Sequence, residues 1–311
     1  MGKKILILGN CNVDFVFKIP RFHHPGETIL AESQATFFGG KGANQAVASK
    51  RLGGNVCFIT KVGNDLYGKS YRRHLIKNGL DRKPILEDRK LPTGMAVIEL
   101  IPKGENRIVV FPGANGSLSA RDLERLKSCW RGVKVFVTQL EIPLATVERG
   151  LRLAKEQGSL TLLNPSPPAR LSSRFLSLVD FIVPNEKEAQ SLTGIRWKSD
   201  QEIRKMAGTL LEMGVKNVVI TLGPKGLFFK NRKEEIWMNA FRVKAIDTTA
   251  AGDAFLGALA TSLAEHKPIR EALNFANGAG ALATTKLGAQ PSLPFRKDLE
   301  AFLSKIQIKS Q

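Results

Sequence analysis

The stretch "DTTAAGDAFLGALA", residues 247–260, sets three small residues (Ala250, Ala251, Gly252) ahead of a helical run, with Asp253 in its first turn. The N–H groups at such a helix start have no intrahelical acceptor, and together with the helix dipole they favour an anion. Small side chains let a bulky anion reach the backbone, and the adjacent carboxylate can accept a proton. A base beside an anion hole is what phosphoryl transfer to a hydroxyl requires. An acid in a first helical turn can also serve only to stabilise the helix. The run of small residues favours the chemical reading, since larger side chains would meet any packing need equally well.

A second stretch competes for the same chemistry. "GNDLYGKS", residues 63–70, fits the phosphate-loop pattern of Gly, four residues, then Gly-Lys-Ser. That loop wraps a polyphosphate, which calls for small residues between the glycines, whereas this one holds Asp65, Leu66 and Tyr67. Asp65 would set a carboxylate against phosphate. The mechanism also needs an Asp at the end of a later apolar strand to hold Mg²⁺. The runs at 133–137 and 218–220 lead instead into Thr-Gln and Thr-Leu-Gly. Lys69 and Ser70 then read as ordinary helix residues, with Gly63 and Gly68 serving a turn.

The elements that must position such a site follow from the hydrophobic pattern. Residues 5–8 read as a buried parallel strand. Strand-like stretches at 13–19 and 28–38 follow with no helix between them, and should pair as a hairpin. A glycine-rich turn opens a helix from about 41 to 52, then come a strand at 56–60 and a helix at 66–78. A second helix-free β patch covers 94–101 and 107–111. Beyond residue 115 helices and strands alternate: helix 119–128, strand 133–137, helix 143–157 and strands 160–163 and 181–183. A helix opening at Asn185, a helix at 200–213 and a strand at 218–221 continue the series. Strands 227–230 and 235–238 look antiparallel, and helices start near 252, 268 and 296. The alternation predicts an α/β fold, a mostly parallel sheet between two helical layers. The two early β patches, near 13–38 and 94–111, predict a small lid sheet. No repeat or long linker divides residues 1–311, which therefore read as one domain.

Composition narrows the class. Forty-three per cent hydrophobic and 24% charged residues are ordinary for a globular protein, and no apolar run approaches the ~20 residues of a membrane span. The first residues lack a secretory apolar core, so the expected location is the cytoplasm. Cys11, Cys57 and Cys129 form no Cys-x-x-Cys pair and read as small buried hydrophobes. His23-His24 sits on a predicted loop without metal-ligand spacing, and no His is placed for a Ser-His-Asp hydrolase. The net charge of +19 raises a nucleic-acid-binding alternative. No helix-turn-helix, zinc finger or aromatic RNA-binding motif accompanies the basic residues, and a solvated basic surface explains them as well.

Two long motifs carry a family resemblance. "DTTAAGD" and "GGKGANQA" (39–46) resemble the two signatures of the ribokinase or PfkB family of carbohydrate kinases. Shorter ones follow in the same order: "GNCNVD", "PGET", "FPGAN", "QLEIP", "NPSP", "PNEKEA", "TLGPKG" and "KLGAQPS". Their spacing resembles the ribokinase branch more than the adenosine or fructose-phosphate branches. The resemblance implies the ribokinase-like three-layer α/β/α fold with a β lid, and ATP-dependent phosphorylation of D-ribose at O5. By it Asp253 is the general base, and the N–H groups of Ala250, Ala251, Gly252 and Asp253 form the anion hole. Asn12, Asp14, Gly40, Lys41, Gly42, Asn44 and Glu141 match the sugar-binding positions. Ala96, Ile98 and Val110 match apolar lid positions.

For ATP the resemblance implies Asn185, Thr221, Gly223, Gly226, Gly252 and Asn277, with Glu188 holding Mg²⁺ through water. It implies a K⁺ site from Asp247, Thr249, Ala283, Lys286, Gly288 and Ser292, several through carbonyls, and a homodimer joined through the lid. Taken alone, Asp14 also reads as a turn residue after the first strand, and Glu141 as a helix-start acid before Pro143. A 2-deoxyribose or nucleoside kinase of the same family is the nearest alternative. Phe15, Phe17, Phe37, Phe38 and Phe111 keep base stacking open, while Cys11 and Phe15 flank the sugar-binding positions.

Overall fold

The computed structural model describes residues 3–102 and 105–309. The chain begins with β1 (Lys4–Leu8), β2 (Asn12–Lys18), β3 (Ser33–Gly39), α1 (Lys41–Arg51), β4 (Asn55–Gly63), α2 (Leu66–Lys77) and β5 (Ile85–Asp88). It continues with β6 (Met95–Leu100), β7 (Asn106–Phe111), α3 (Ala120–Arg125), α4 (Lys127–Trp130), β8 (Val133–Thr138), α5 (Leu144–Glu156) and β9 (Leu160–Leu163). Next come α6 (Ser173–Leu176), β10 (Phe181–Ile182), α7 (Glu186–Thr193), α8 (Asp200–Glu212), β11 (Asn217–Thr221), β12 (Leu227–Asn231) and β13 (Glu235–Met238). It ends with α9 (Ala251–Ala264), α10 (Ile269–Ala283), α11 (Ala289–Ser292) and α12 (Arg296–Lys309).

The large sheet runs β13-β12-β11-β10-β9-β8-β1-β4-β5, parallel from β11 to β5, with β12 and β13 added antiparallel. Its strands are apolar on both faces because helices cover both. Ile5, Ile7 and Phe58 face α1, α2, α9 and α10, through residues such as Val47, Leu75, Phe255 and Leu273. Leu6, Leu8 and Phe136 face the layer of α3 to α8, with Leu123, Trp130, Leu151 and Met206. A second sheet, β3-β2-β6-β7, forms the lid: two antiparallel hairpins joined by the parallel pair β2 and β6. Among the described residues no helix is long and apolar enough to cross a membrane.

Several local expectations are corrected. The strand expected over 28–38 begins at Ser33; the stretch before it is irregular, with Leu30 87% exposed. Helix 119–128 is two helices, broken where Leu126 leaves helical geometry at φ −99° and ψ 37°. The edge strand β5 and the short helices α6 and α11 lack the length that makes a periodic pattern visible.

The contact that matters most for the site joins α1 to α9. Small residues (Ala43, Ala46, Ala48 on one helix, Ala254, Gly257, Ala258 on the other) are fully enclosed where the two meet. A Cβ on Gly257 would lie 2.7 Å from Ala48 Cβ and 3.0 Å from Gln45 O, so only glycine permits this approach. Ser49 Oγ donates to Gly257 O at 2.9 Å and locks the crossing. Gly257→Val should force the helices apart and cost about 1–3 kcal/mol as overpacking. Thermal unfolding measures that loss, and an unchanged Tm would contradict the close-contact reading.

Candidate active site

In open parallel sheets a ligand crevice forms at the carboxyl ends of the strands where the order reverses. Here the chain builds outward from β1 to β4 and β5, then returns to β8 and proceeds the other way, so the reversal lies between β1 and β8. The segments leaving those two strands carry Asn10, Asn12, Gln139 and Glu141. The start of α1 and the start of α9 close on the same place.

Asp253 lies there, only 6% exposed. Its Oδ2 accepts from Asn44 Nδ2 at 2.9 Å and its Oδ1 from Gln45 Nε2 at 2.9 Å. A carboxylate that merely stabilised a helix would face water, so that reading fails. The helix beyond it opens without a side-chain cap, from Ala250 in left-handed geometry at φ 61°. For a non-glycine residue that conformation costs about 1 kcal/mol or more. The first helical bond is Ala254 N to Ala250 O at 2.8 Å, which leaves the Gly252 and Asp253 N–H groups ahead of it. A Cβ on Gly252 would meet no atom within 4 Å, so the space before this helix start is open. Of the N–H groups expected to form the anion hole, that of Ala251 donates to Thr248 O at 3.2 Å.

The positions expected to bind the sugar converge. Gly40 caps α1 at φ 87°, and a Cβ there would lie 2.7 Å from Asn12 N, so the starts of α1 and β2 touch. Lys41 N donates to Glu141 Oε2 at 3.2 Å, and Gly42 N to Asn10 Oδ1 at 3.1 Å. Glu141 therefore binds across the sheet rather than serving the helix behind it. Asp14 lies inside β2, paired with Phe37 and Ala96, and is no turn residue. Ala96 pairs in turn with Val110, so Asp14, Ala96 and Val110 share one face of the lid. Ile98 pairs with Val16 and Ile108 further along the same sheet.

Four charges share this pocket. Burial, with Glu141 and Asp253 nearby, pushes Asp14 up to about 7. Burial likewise holds Glu141 above its ordinary value, despite Lys41 beside it. For Lys41 burial works against the charge, yet Asp253, Glu141 and Glu188 outweigh it and hold the ammonium above its usual range. Asn44 Oδ1 is buried and has no hydrogen-bond partner among the described residues. An orphaned acceptor beside a carboxylate and an amide fits a hydroxyl-rich ligand that donates to it.

The nucleotide positions gather further along the sheet edge. Asn185 and Thr221 form a bridge between the ends of their segments. Asn185 caps α7: its Oδ1 accepts from Glu188 N at 2.8 Å while its own N–H donates to Glu188 Oε2 at 2.9 Å. Gly223 and Gly226 bound the turn after β11, where Gly226 N donates to Gly223 O at 3.0 Å. Asn277, on α10, donates to Asn239 O at 2.8 Å. What ties this group to the sugar group is the field of Glu188 on Lys41.

The six positions expected around K⁺ come from two segments, 247–249 and 283–292, that the structure joins. Asp247 Oδ1 accepts from Thr249 N and Oγ1 at 2.9 and 2.6 Å, and Oδ2 accepts from Gly288 N at 2.8 Å. Lys286 N donates to Ala283 O at 3.4 Å, and Ser292 Oγ to Ala289 O at 2.7 Å.

Four supporting residues carried no assigned role in the sequence: Asn10, Gln45, Asn115 and Gln139. Each lies inside a motif quoted above, which was the available signal. Asn115 Nδ2 donates to Asn12 Oδ1 at 2.8 Å and to Cys11 O at 3.0 Å, while its Oδ1 accepts from Cys11 N at 3.0 Å. It thereby fixes the Asn12 carbonyl and the backbone of Cys11.

A profile described as pfkB family carbohydrate kinase matches residues 2–296. Ribokinase of Haemophilus influenzae is 41% identical over 303 residues, covering 97% of this chain and 99% of that protein. Deoxyribokinase of Salmonella typhi is 34% identical over 301 residues, covering 96% and 98%. Among solved structures, Arabidopsis thaliana ribokinase complexed with ribose and ATP has a TM-score of 0.90 at 31% identity, covering 97% of this chain and 99% of that one.

The raised Asp14 makes a stability prediction. Between its ordinary value near 3.8 and its folded value of about 7, the folded state holds a proton that the unfolded chain releases. Stability of the ligand-free protein therefore falls as pH rises through that window. Asp14→Asn should remove this slope and be more stable than the parent at pH 8, by up to about 4 kcal/mol. Denaturant unfolding at pH 5 and pH 8 checks it; parallel pH dependence in the two proteins would refute the assignment.

Proposed function

The chain belongs to the pfkB family of carbohydrate kinases, and on that premise we propose that it transfers the γ-phosphoryl group of ATP to O5 of D-ribose. In this reaction the O5–H proton passes to the Asp253 carboxylate as the O5–P bond forms. The bond from the γ-phosphorus to its bridging oxygen breaks, and ADP leaves. The observation that carries the reading is the buried Asp253 carboxylate, held by Asn44 and Gln45, at an uncapped helix start open in front of Gly252. The Gly252 and Asp253 N–H groups receive the developing phosphoryl charge, and Lys41 adds a cation between base and phosphates.

Ribose is favoured over a hydroxyl-poor analogue by the hydrogen-bond acceptors of the crevice. Asp14, once ionised, accepts from ring hydroxyls, and the unbonded Asn44 Oδ1 accepts another. A site built around a hydroxyl rejects a ligand without it. The 34% identity to a deoxyribokinase keeps 2-deoxyribose as the second reading. Nucleosides fit less well, because Phe15 packs edge-on against Tyr67 and Phe38 against Tyr71, with ring centroids 5.4 and 4.6 Å apart.

Residues present fit the expected ions. Glu188 is a buried carboxylate whose Oε2 alone is hydrogen-bonded among the described residues, which suits a water-bridged Mg²⁺ shared with the ATP phosphates. When bound, Mg²⁺ supplies neutralising charge to those phosphates. The joined loops of Asp247 and Gly288 offer oxygen donors of the kind K⁺ takes, carboxylate and carbonyl. The cytoplasm, where ATP is made and thiols stay reduced, suits three free cysteines. The lid edge β7 exposes Ile108, Val109, Val110 and Phe111, with Val109 71% exposed, and pairing two such edges in a homodimer would cover them.

A coupled ADP-release assay on ribose, 2-deoxyribose, adenosine, fructose and fructose 6-phosphate tests the substrate, with ribose expected to give the highest kcat/KM. Asp253→Ala should lose about 10²–10⁴-fold in kcat. Unchanged turnover in that variant would remove the base, and preference for a nucleoside would remove the sugar. Since ionised Asp14 binds the sugar, KM for ribose should rise as pH falls below about 7. A flat KM from pH 8 to pH 6 would count against Asp14 as the hydroxyl acceptor.

A further inference from the structure

We propose that Gln45 and Gln139 act as positioning residues for this reaction, a relay of two amides that fixes how the Asp253 carboxylate is presented to the sugar hydroxyl. The inference rests on Asp253 being the base. Both glutamines are fully buried, and they lie 94 residues apart in the chain, one on α1 and one just after β8. Gln139 Nε2 donates to Gln45 Oε1 at 2.5 Å, and Gln45 Nε2 donates to Asp253 Oδ1 at 2.9 Å.

The two amides that touch Asp253 differ in one respect. Asn44 donates to Oδ2 while its carbonyl is unbonded within the protein, so it divides its hydrogen bonding between base and ligand. The Gln45 carbonyl is already taken by Gln139, so its NH₂ is committed to the base alone. That commitment has a chemical consequence. A free glutamine beside a carboxylic acid could turn over and accept the acid's proton, which would stabilise Asp253 in its protonated form. With Gln139 holding the Gln45 carbonyl, Gln45 remains a donor before and after proton transfer. It favours the ionised base and leaves the other lone pairs of Asp253 aimed at the crevice.

A second feature separates this relay from ordinary core packing. Gln139 Oε1 is buried with no hydrogen-bond partner among the described residues. A Cβ on Gly9 would lie 2.1 Å from it, so the glycine at the end of β1 makes the room that Gln139 occupies. An unpaired buried carbonyl is unfavourable. A glutamine kept only for packing would be better replaced by Met or Leu, whereas one kept for its NH₂ must carry its carbonyl along.

Gln45→Met and Gln139→Met, alone and combined, test the relay in the full chain, with Asp253→Asn measured alongside. Each Gln variant should lower kcat for ribose about 10–100-fold, with both KM values within about threefold, the pattern of an interaction that matters in the transition state. The acid limb of the kcat–pH profile should move upward in Gln45→Met. Because Gln139 acts only through Gln45, adding Gln139→Met to Gln45→Met should change kcat less than about twofold. Losses that multiply, an unmoved acid limb, or a raised KM at constant kcat would overturn the relay. Should the Met variants not fold, Gln139→Glu keeps the shape: ionised, it cannot donate, so its kcat relative to the parent should recover as pH falls and the acid protonates. A constant ratio across pH would overturn the proposal. If Asp253→Asn retains parental kcat, the base itself is wrong. If it loses activity while the Gln variants do not, the relay alone is wrong.

Discussion

The site depends on how closely two helices approach, helices that lie about 200 residues apart in the chain. Asp253 can be buried, ionisable and aimed because α1 touches α9 at Gly257 and Ala48, one turn below the catalytic level. That contact sets Asn44 and Gln45 at 2.9 Å from the two oxygens of a carboxylate on the other helix. A short polar side chain such as Asn has little reach, so an extra methyl between the helices would break both bonds. The small residues that look like a weak core are thus what allows a strong polar arrangement above them.

Burying three carboxylates near one ammonium is costly, and the cost is spread unevenly. Lys41 and the amides of Asn44 and Gln45 support Asp253, whereas Asp14 has no cation of its own and is pushed up to about 7. Two features of the site are therefore poorly satisfied within the protein: Asp14 resists ionisation, and Asn44 Oδ1 has no donor among the described residues. A site of this kind discriminates by what it leaves unpaired as much as by what it presents.

Sequence reasoning reached the architecture because the layers rest on period and motif order. Buried strands such as residues 5–8 and the helices after residue 115 carry patterns that need no tertiary information. It missed β5, α6 and α11, which are too short to show a period, and it extended one lid strand into residues whose apolar side chains point to solvent. In the proposed site, the residues singled out from sequence were those whose types suit reaction chemistry: Asp253, Asp14, Glu141 and Asn44. Gln45, Gln139, Asn10 and Asn115 were not, although they sit in the same motifs. An amide's role is set by what lies opposite, and for Gln139 that partner is 94 residues away. Only the fold supplies it.

The two stretches that competed for phosphate chemistry show why a helix start is not by itself a binding site. At "GNDLYGKS" the start of α2 is closed. Asp65 caps it, accepting from Gly68 N at 2.7 Å, and its other oxygen accepts from Thr93 N at 2.7 Å. A Cβ on Gly68 would lie 2.0 Å from Gly63 O, so that glycine is needed for strand and helix to touch and no space is left for a phosphate. At α9 every one of these conditions is reversed. No side chain caps the helix, the residue before it adopts left-handed geometry at φ 61°, and the space ahead of Gly252 is empty. Helix ends normally satisfy their donors because leaving them unpaired is unfavourable. An end that leaves the Gly252 and Asp253 donors without a capping side chain, at the further expense of a strained alanine, differs from the start of α2 in the features an anion would use.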